Sequence, residues 1–274
     1  MEWWEALLLG AVEGLTEYLP VSSTGHLLLA QRSLGLEAGG AANAYAICIQ
    51  AGAILAVAGL YRRRVAQMAR GLAGRDGEGA HLLACIATAF VPAAVVGLLF
   101  DDWIEARLFG LWPVVSSWFV GGCLILAFRR VRNAPAAEGV LDLATLRPSA
   151  AMLIGLAQIL ALWPGTSRSL VTIVGGLLVG LSLTAAVEFS FLLGLATLLA
   201  ATAYKALGHG SEMLATFGAV NLVLGLLSAW LFAVLSVRWM ISWLERHGLG
   251  LFGWYRVALA LAVGAALWSG NLAP

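Results

Sequence analysis

The chain has 274 residues, 61% of them hydrophobic and 11% charged, with a formal net charge of +1 at pH 7. Soluble domains carry roughly 45–50% apolar and about 25% charged residues. This composition therefore excludes a soluble enzyme, a disordered chain and a secreted disulfide scaffold. It indicates an all-α polytopic membrane protein, and the near-neutral balance implies no nucleic-acid partner.

Read from the start, Met1-Glu2-Trp3-Trp4-Glu5 lacks a basic n-region, so the first apolar segment is expected to stay in the mature protein. Residues 3–36 are apolar but interrupted by Glu13, Glu17, Pro20, Ser22, Ser23, Gly25 and His26. Three uncharged runs follow, at 44–61, 82–100 and 108–128. Residues 148–183 are again apolar and again interrupted, by Pro164, Gly165, Ser167 and Arg168. Three more runs follow, at 189–204, 213–237 and 257–274. A helical crossing takes roughly 20 residues, so each run predicts a spanning helix, six in all. The two interrupted regions predict re-entrant helical hairpins, 3–36 and 148–183. Their broken backbone is tolerable at depth only if protein covers it or it lines a wet cavity.

The interrupted regions resemble one another. Gly10-Ala-Val-Glu13 and Pro20-Val-Ser22-Ser23 match Gly155-Leu-Ala-Gln158 and Pro164-Gly-Thr166-Ser167-Arg168. The chain thus reads as two halves, 1–130 and 150–274, joined by a cytoplasmic linker, 131–149. An odd number of spans in each half makes this an inverted-topology repeat, a plan in which broken helices meet at a central site. Basic residues set the orientation. Arg62, Arg63, Arg64, Arg70 and Arg75, then Arg129, Arg130, Arg132 and Arg147, then Arg238, Arg246 and Arg256, are expected in cytoplasmic loops. Asp101, Asp102, Glu105 and Arg107, and Lys205, His209 and Glu212, are expected in outer loops. Trp254 and Tyr255 fit an interfacial aromatic belt. Cys48, Cys85 and Cys123 lie in apolar runs without metal-ligand spacing and read as buried small hydrophobes.

Two constellations carry chemistry. Glu13 and Glu17 are four apart and share a helix face. Their mutual repulsion calls for a divalent cation, a proton on one carboxyl, or a nearby arginine. Pro20 ends that helix. Ser22, Ser23 and Thr24 fall where the next begins, a favourable place for phosphate, and His26 lies within a turn as base, acid or nucleophile. The blander alternatives are a proton relay, a structural carboxylate pair and a helix cap. In the second constellation, Arg168 is the sole charge between Arg147 and Glu188. A guanidinium in the membrane needs an anion, either Glu13 or Glu17 or a phosphate. Together the groups point to phosphoryl chemistry on a lipid. A transporter or flippase for lipid phosphate is the rival from another class.

Glu13-Gly-Leu-Thr-Glu17-Tyr-Leu-Pro20-Val-Ser22-Ser23-Thr24-Gly25-His26 and Pro164-Gly165-Thr166-Ser167-Arg168-Ser169 resemble the signatures of the bacterial bacitracin-resistance family, the undecaprenyl-pyrophosphate phosphatases. The likeness extends over nearly the whole chain. It implies a multi-pass phosphatase of the bacterial inner membrane, its site facing the periplasm. It implies hydrolysis of a polyprenyl diphosphate lipid to the monophosphate carrier of peptidoglycan synthesis, and with it bacitracin resistance. It also implies a Mg²⁺ or Ca²⁺ cofactor, with membrane lipids as neighbours and a homodimer left open. Carried over by motif, Glu13 and Glu17 bind the metal or act as acid and base. Ser23 is the candidate nucleophile, with His26 as base or alternative nucleophile. Ser22, Thr24 and Ser167 contact phosphate beside Arg168, with Thr172 nearby. One departure is Leu170, where the family pattern has glycine; if that glycine supplies a positive φ or a close backbone approach, the loop must differ here.

Overall fold

The computed structural model describes residues 1–36, 40–128 and 141–272. Most of the expected linker, together with Arg129, Arg130 and Arg132, lies outside the described residues. In order, the helices are α1 (Trp3–Thr16), α2 (Ser23–Ser33), α3 (Gly40–Leu60), α4 (Arg62–Leu72), α5 (Gly77–Leu108), α6 (Leu111–Phe128), α7 (Pro148–Gln158), α8 (Arg168–Leu178), α9 (Leu183–Phe217), α10 (Ala219–His247) and α11 (Gly250–Trp268). A 3₁₀ turn, Ile159–Leu162, extends α7.

Five helices, α3, α5, α9, α10 and α11, are long and apolar enough to cross a membrane. The sixth expected span, α6, has 18 residues, about 27 Å at 1.5 Å per residue and so slightly short of a roughly 30 Å hydrocarbon core. The interrupted regions are helix–break–helix pairs, α1–α2 and α7–α8, as their prolines and serines predict.

Three expectations about chain order are corrected. The run 213–237 is not one helix. Met213 ends within α9, and Gly218, at φ 79°, caps α9 and opens α10; only a residue without Cβ adopts that backbone easily. The charges expected in outer loops are helical extensions of α5 and α9. Lys205 Nζ donates to Asp101 Oδ2 at 2.9 Å and to Glu105 Oε2 at 3.0 Å, so the charges compensate each other in place. The first arginine cluster is likewise no loop. Arg62, Arg63, Arg64 and Arg70 lie on α4, an amphipathic helix, packed where Gly71 meets the backbone of Gly79 and Ala80. Arg64 Nε reaches Glu188 Oε1 at 2.7 Å, tying α4 to the start of α9. Asp76 caps α5. The Gly79 N–H at 2.8 Å, aided by Arg70, holds its carboxyl below the usual carboxylate range. Of the cysteines, Cys48 and Cys85 are buried but Cys123 is exposed.

Small residues decide how the hairpins are gripped. Gly10 and Gly14 lie one turn apart on α1 and press directly on α10, against the backbone of Gly225, Ala229 and Ala233. Such small-residue faces let helix backbones approach closely where no hydrophobic effect drives association. Ser228 Oγ donates to Leu7 O at 2.7 Å and Ser236 Oγ to Gly14 O at 2.8 Å across the same contact. On α7, Gly155 presses in the same manner on Ala89 of α5. Each hairpin is therefore held by a long helix from the other part of the chain. Replacing Gly14 by Leu, whose side chain has no space against α10, is expected to destabilise the protein by about 1–3 kcal/mol or more, read as a lower melting temperature in detergent.

Candidate functional site

The two breaks are built alike. α2 and α8 begin at Ser22 and Ser167, the only non-glycine residues with positive φ among those described, at 73° and 72°. Each serine Oγ accepts the N–H three residues on, Gly25 N at 3.4 Å and Leu170 N at 3.3 Å. A left-handed serine is strained and persists only where its surroundings impose it. Ser22 and Ser167 are separated by the same spacing as Gly10 and Gly155. This spacing pairs Glu13 with Gln158 and Ser23 with Arg168, one residue off the alignment by the two prolines. Leu170 sits in the first turn of α8 with a buried side chain. Leu170 is not among the residues with positive φ, so its side chain meets no backbone strain there.

The breaks meet. Arg168 Nη2 donates to Glu17 Oε1 at 2.9 Å, both side chains nearly buried. Ser23 Oγ donates to the other oxygen, Glu17 Oε2. Arg168 Nη1 is fixed by Ser190 O at 2.9 Å, while its Nε is buried without a partner. The guanidinium lies 5.3 Å from the Tyr18 ring centroid and fills the space left by Gly194. Ser169 Oγ donates to Leu19 O at 3.0 Å, closing one loop on the other.

Glu17, Ser22, Ser23, Thr24, Ser167 and Arg168 line a cavity of about 480 Å³. It reaches along α5 and α9 to Asp101, Glu105 and Lys205, the ends of those helices away from arginine-rich α4. The remaining predicted residues lie behind this wall. Glu13 is fully buried and both its carboxylate oxygens lack a hydrogen-bond partner. Thr172 is buried beneath Arg168, donating to Arg168 O at 2.8 Å and paired with Ser190 Oγ at 2.7 Å. His26 faces away from the cavity. Its Nδ1 is 2.6 Å from Ser22 O and its Nε2 is 2.7 Å from Tyr255 Oη. Since a carbonyl only accepts, Nδ1 carries the proton and Nε2 accepts from the tyrosine. Tyr255 is thus part of the structure behind the loop and not only a belt residue.

Arg256 is the largest correction. Placed in a cytoplasmic loop by the orientation argument, it is fully buried. It donates to Pro20 O at 3.3 Å, Thr166 O at 3.1 Å, Ser117 O at 3.0 Å and Gly165 O at 2.8 Å. One guanidinium thereby satisfies carbonyls of both breaks and of α6, in room that Gly121 leaves open. The sequence offered a weak signal for it: Arg256 is the only charge in an otherwise apolar stretch after Arg246. Ser190 and Gln158 gave no signal as single residues.

Glu13 and Glu17 are the residues that could hold a divalent cation. Glu13 offers an unpartnered carboxylate one turn from Glu17, and hard oxygen donors suit Mg²⁺ or Ca²⁺. Among the described residues no group of three or more His, Cys, Asp or Glu side chains gathers. The protein would thus supply two carboxylates and leave further positions to phosphate and water, as is usual for Mg²⁺.

Comparison with known proteins adds an independent line. The family profile described as bacitracin resistance protein BacA matches residues 6–262. A protein of Sorangium cellulosum called undecaprenyl-diphosphatase is 46% identical over 269 residues, covering 98% of this chain and 86% of its own. Undecaprenyl-diphosphatase 1 of Chromobacterium violaceum is 44% identical over 265 residues, covering 97% and 96%. Undecaprenyl-diphosphatase 2 of Rhodospirillum rubrum is 42% identical over 266 residues, covering 97% and 95%.

Removing the Arg256 guanidinium takes one donor from each of four carbonyl groups. Arg256→Leu is expected to cost about 3 kcal/mol or more, on the order of two charge-assisted hydrogen bonds, with Arg256→Lys intermediate. Chemical unfolding of the two variants in detergent measures the difference.

Proposed function

Because the chain belongs to the bacitracin resistance protein BacA family, we propose that it is a membrane phosphatase that hydrolyses undecaprenyl diphosphate. It releases inorganic phosphate and returns the lipid monophosphate to peptidoglycan synthesis, the activity by which it confers bacitracin resistance. The observation that carries this reading is Glu17, held between Arg168 of one hairpin and Ser23 of the other at the wall of a cavity.

In this reading Ser23 Oγ attacks the terminal phosphorus and passes its proton to Glu17. The bridging P–O bond breaks and the lipid monophosphate leaves. Water then attacks the phosphoserine, freeing inorganic phosphate and restoring the Ser23 hydroxyl. Arg168, on the cavity wall, stabilises the charge that builds on the phosphate oxygens in the transition state. Ser22, Thr24 and Ser167 border the head group. Thr172 and Ser190 support Arg168 from below. Glu13 and Glu17 are the residues that would hold a Mg²⁺ or Ca²⁺ ion, whose chemistry there would be neutralisation of the diphosphate charge. His26, facing Tyr255 and the Ser22 carbonyl, is a positioning residue for the loop and not the nucleophile.

The apolar walls along α5 and α9 suit an isoprenoid chain entering from the bilayer. The protein resides in the bacterial inner membrane, with the cavity open to the periplasm. Support for that orientation comes from the cavity's reach toward Asp101, Glu105 and Lys205, opposite α4 and its arginines. A flippase would need the same binding groups, but not a serine hydroxyl bonded to a carboxylate.

Purified protein in detergent with Mg²⁺ or Ca²⁺ is expected to release phosphate from undecaprenyl diphosphate, and a chelator is expected to stop it. Absence of release across chain lengths and both cations would sink the reading. Ser23→Ala, Glu17→Gln and Arg168→Ala are each expected to lower kcat by at least about 10²–10³. Tyr255→Phe, which removes only the donor to His26, is expected to cost far less in the same assay.

A further inference from the structure

Gln158 is the last residue of α7 and is 2% exposed. Neither its Oε1 nor its Nε2 has a hydrogen-bond partner among the described residues. A buried amide left unpaired costs about 1–3 kcal/mol, so its retention calls for a partner from outside the chain. Its surroundings narrow the choice, because Gln158 lines the same cavity as Glu17, Ser23 and Arg168. A second cavity glutamine, Gln31, behaves differently: its Nε2 donates to Ala42 O at 3.0 Å. Gln158 alone of these two keeps its donor free.

The repeat spacing gives a second, independent observation. Gln158 stands in the second hairpin where Glu13 stands in the first. Glu13 carries its unpartnered carboxylate away from the cavity, next to Glu17, in a place suited to a cation. Gln158 has nearly the same shape but no charge, two N–H donors and a place on the cavity wall. Toward a polyanion, a carboxylate in that place would repel, whereas an amide donates without adding negative charge.

We propose that Gln158 is a head-group-binding residue whose Nε2 donates to a phosphate oxygen of the diphosphate, opposite Arg168. This rests on the phosphatase reading for the identity of the ligand. The two hairpins would then divide the work by charge: Glu13 and Glu17 would hold a cation, and the amide of Gln158 would help hold the anion.

Binding and stability are expected to part company in the variants. Farnesyl diphosphate is titrated calorimetrically in detergent against the Ser23→Ala protein, in which turnover does not consume it, and against the same protein carrying Gln158→Leu, Gln158→Met or Gln158→Glu. The apolar variants are expected to raise Kd about tenfold or more, which is 1.4 kcal/mol per tenfold, without lowering the melting temperature. Gln158→Glu is expected to raise Kd further. Kd within twofold of the parent in all three variants overturns the proposal. So does a large fall in melting temperature in both apolar variants, since the amide would then be bonded within the protein; if only Gln158→Leu falls, the Met variant decides. Phosphate release by the Ser23 protein is followed in parallel. Binding without release refutes hydrolysis and leaves the Gln158 contact standing. Release with unaltered Kd in the variants refutes the contact and leaves hydrolysis standing.

Discussion

A helix that breaks inside hydrocarbon leaves carbonyls and N–H groups with no water to bond, and each unsatisfied group costs several kcal/mol. This protein has two breaks between apolar helices, and each supplies what the other lacks. The Leu19 carbonyl accepts from Ser169, and the carbonyls of Pro20, Gly165 and Thr166 all accept from Arg256. The Thr166 and Ser117 hydroxyls pair at 2.8 Å, and Trp118 Nε1 donates to Val21 O at 3.0 Å. The breaks are tolerable only as a pair, and that mutual dependence fixes where every other group at the centre must lie.

Charge follows the same logic. Glu17 and Arg168 come from different hairpins, and each would be very costly alone. Their ion pair forms because the backbones are already clamped together, and it leaves Ser23 on the second oxygen of Glu17. Glycine placement makes the clamp possible. Gly10 and Gly14 bring α1 onto α10, Gly155 brings α7 onto α5, and Gly121 and Gly194 leave room for the two buried guanidinium groups. Strained serines start both α2 and α8, so the hydroxyl cluster is presented by backbone that the surrounding helices hold in place.

How much of this could be read beforehand varied by residue. Glu13, Glu17 and Arg168 stood out because ionisable groups in apolar segments are rare and default to function. The hairpin breaks were visible in Pro20, Pro164 and the serines near them. Arg256 was misplaced, since basic residues at the edge of an apolar run read as topology signals. The outer charges Asp101, Glu105 and Lys205 were taken for loops because hydropathy cannot distinguish a loop from a helix whose charges pair across to another helix. Cys123 was expected inside because the apolar periodicity of a membrane helix does not mark which face meets lipid. His26 looked poised by its sequence distance from Ser23, yet the turn of α2 directs its ring to Tyr255.

The amino-acid sequence by itself determined the membrane class, the order of the apolar segments along the chain, the two interruptions and the scarce ionisable groups inside them. All of these depend on composition or on neighbours within one helical turn. Only the tertiary structure decided that Arg168 pairs with Glu17, that Arg256 holds both loops, that Glu13, Thr172 and His26 stand behind the cavity wall, and that Gln158 is among the residues that line it. Those facts depend on contacts between helices far apart in the chain, set by small-residue packing and by the satisfaction of broken backbone, and neither leaves a periodic signature along the sequence.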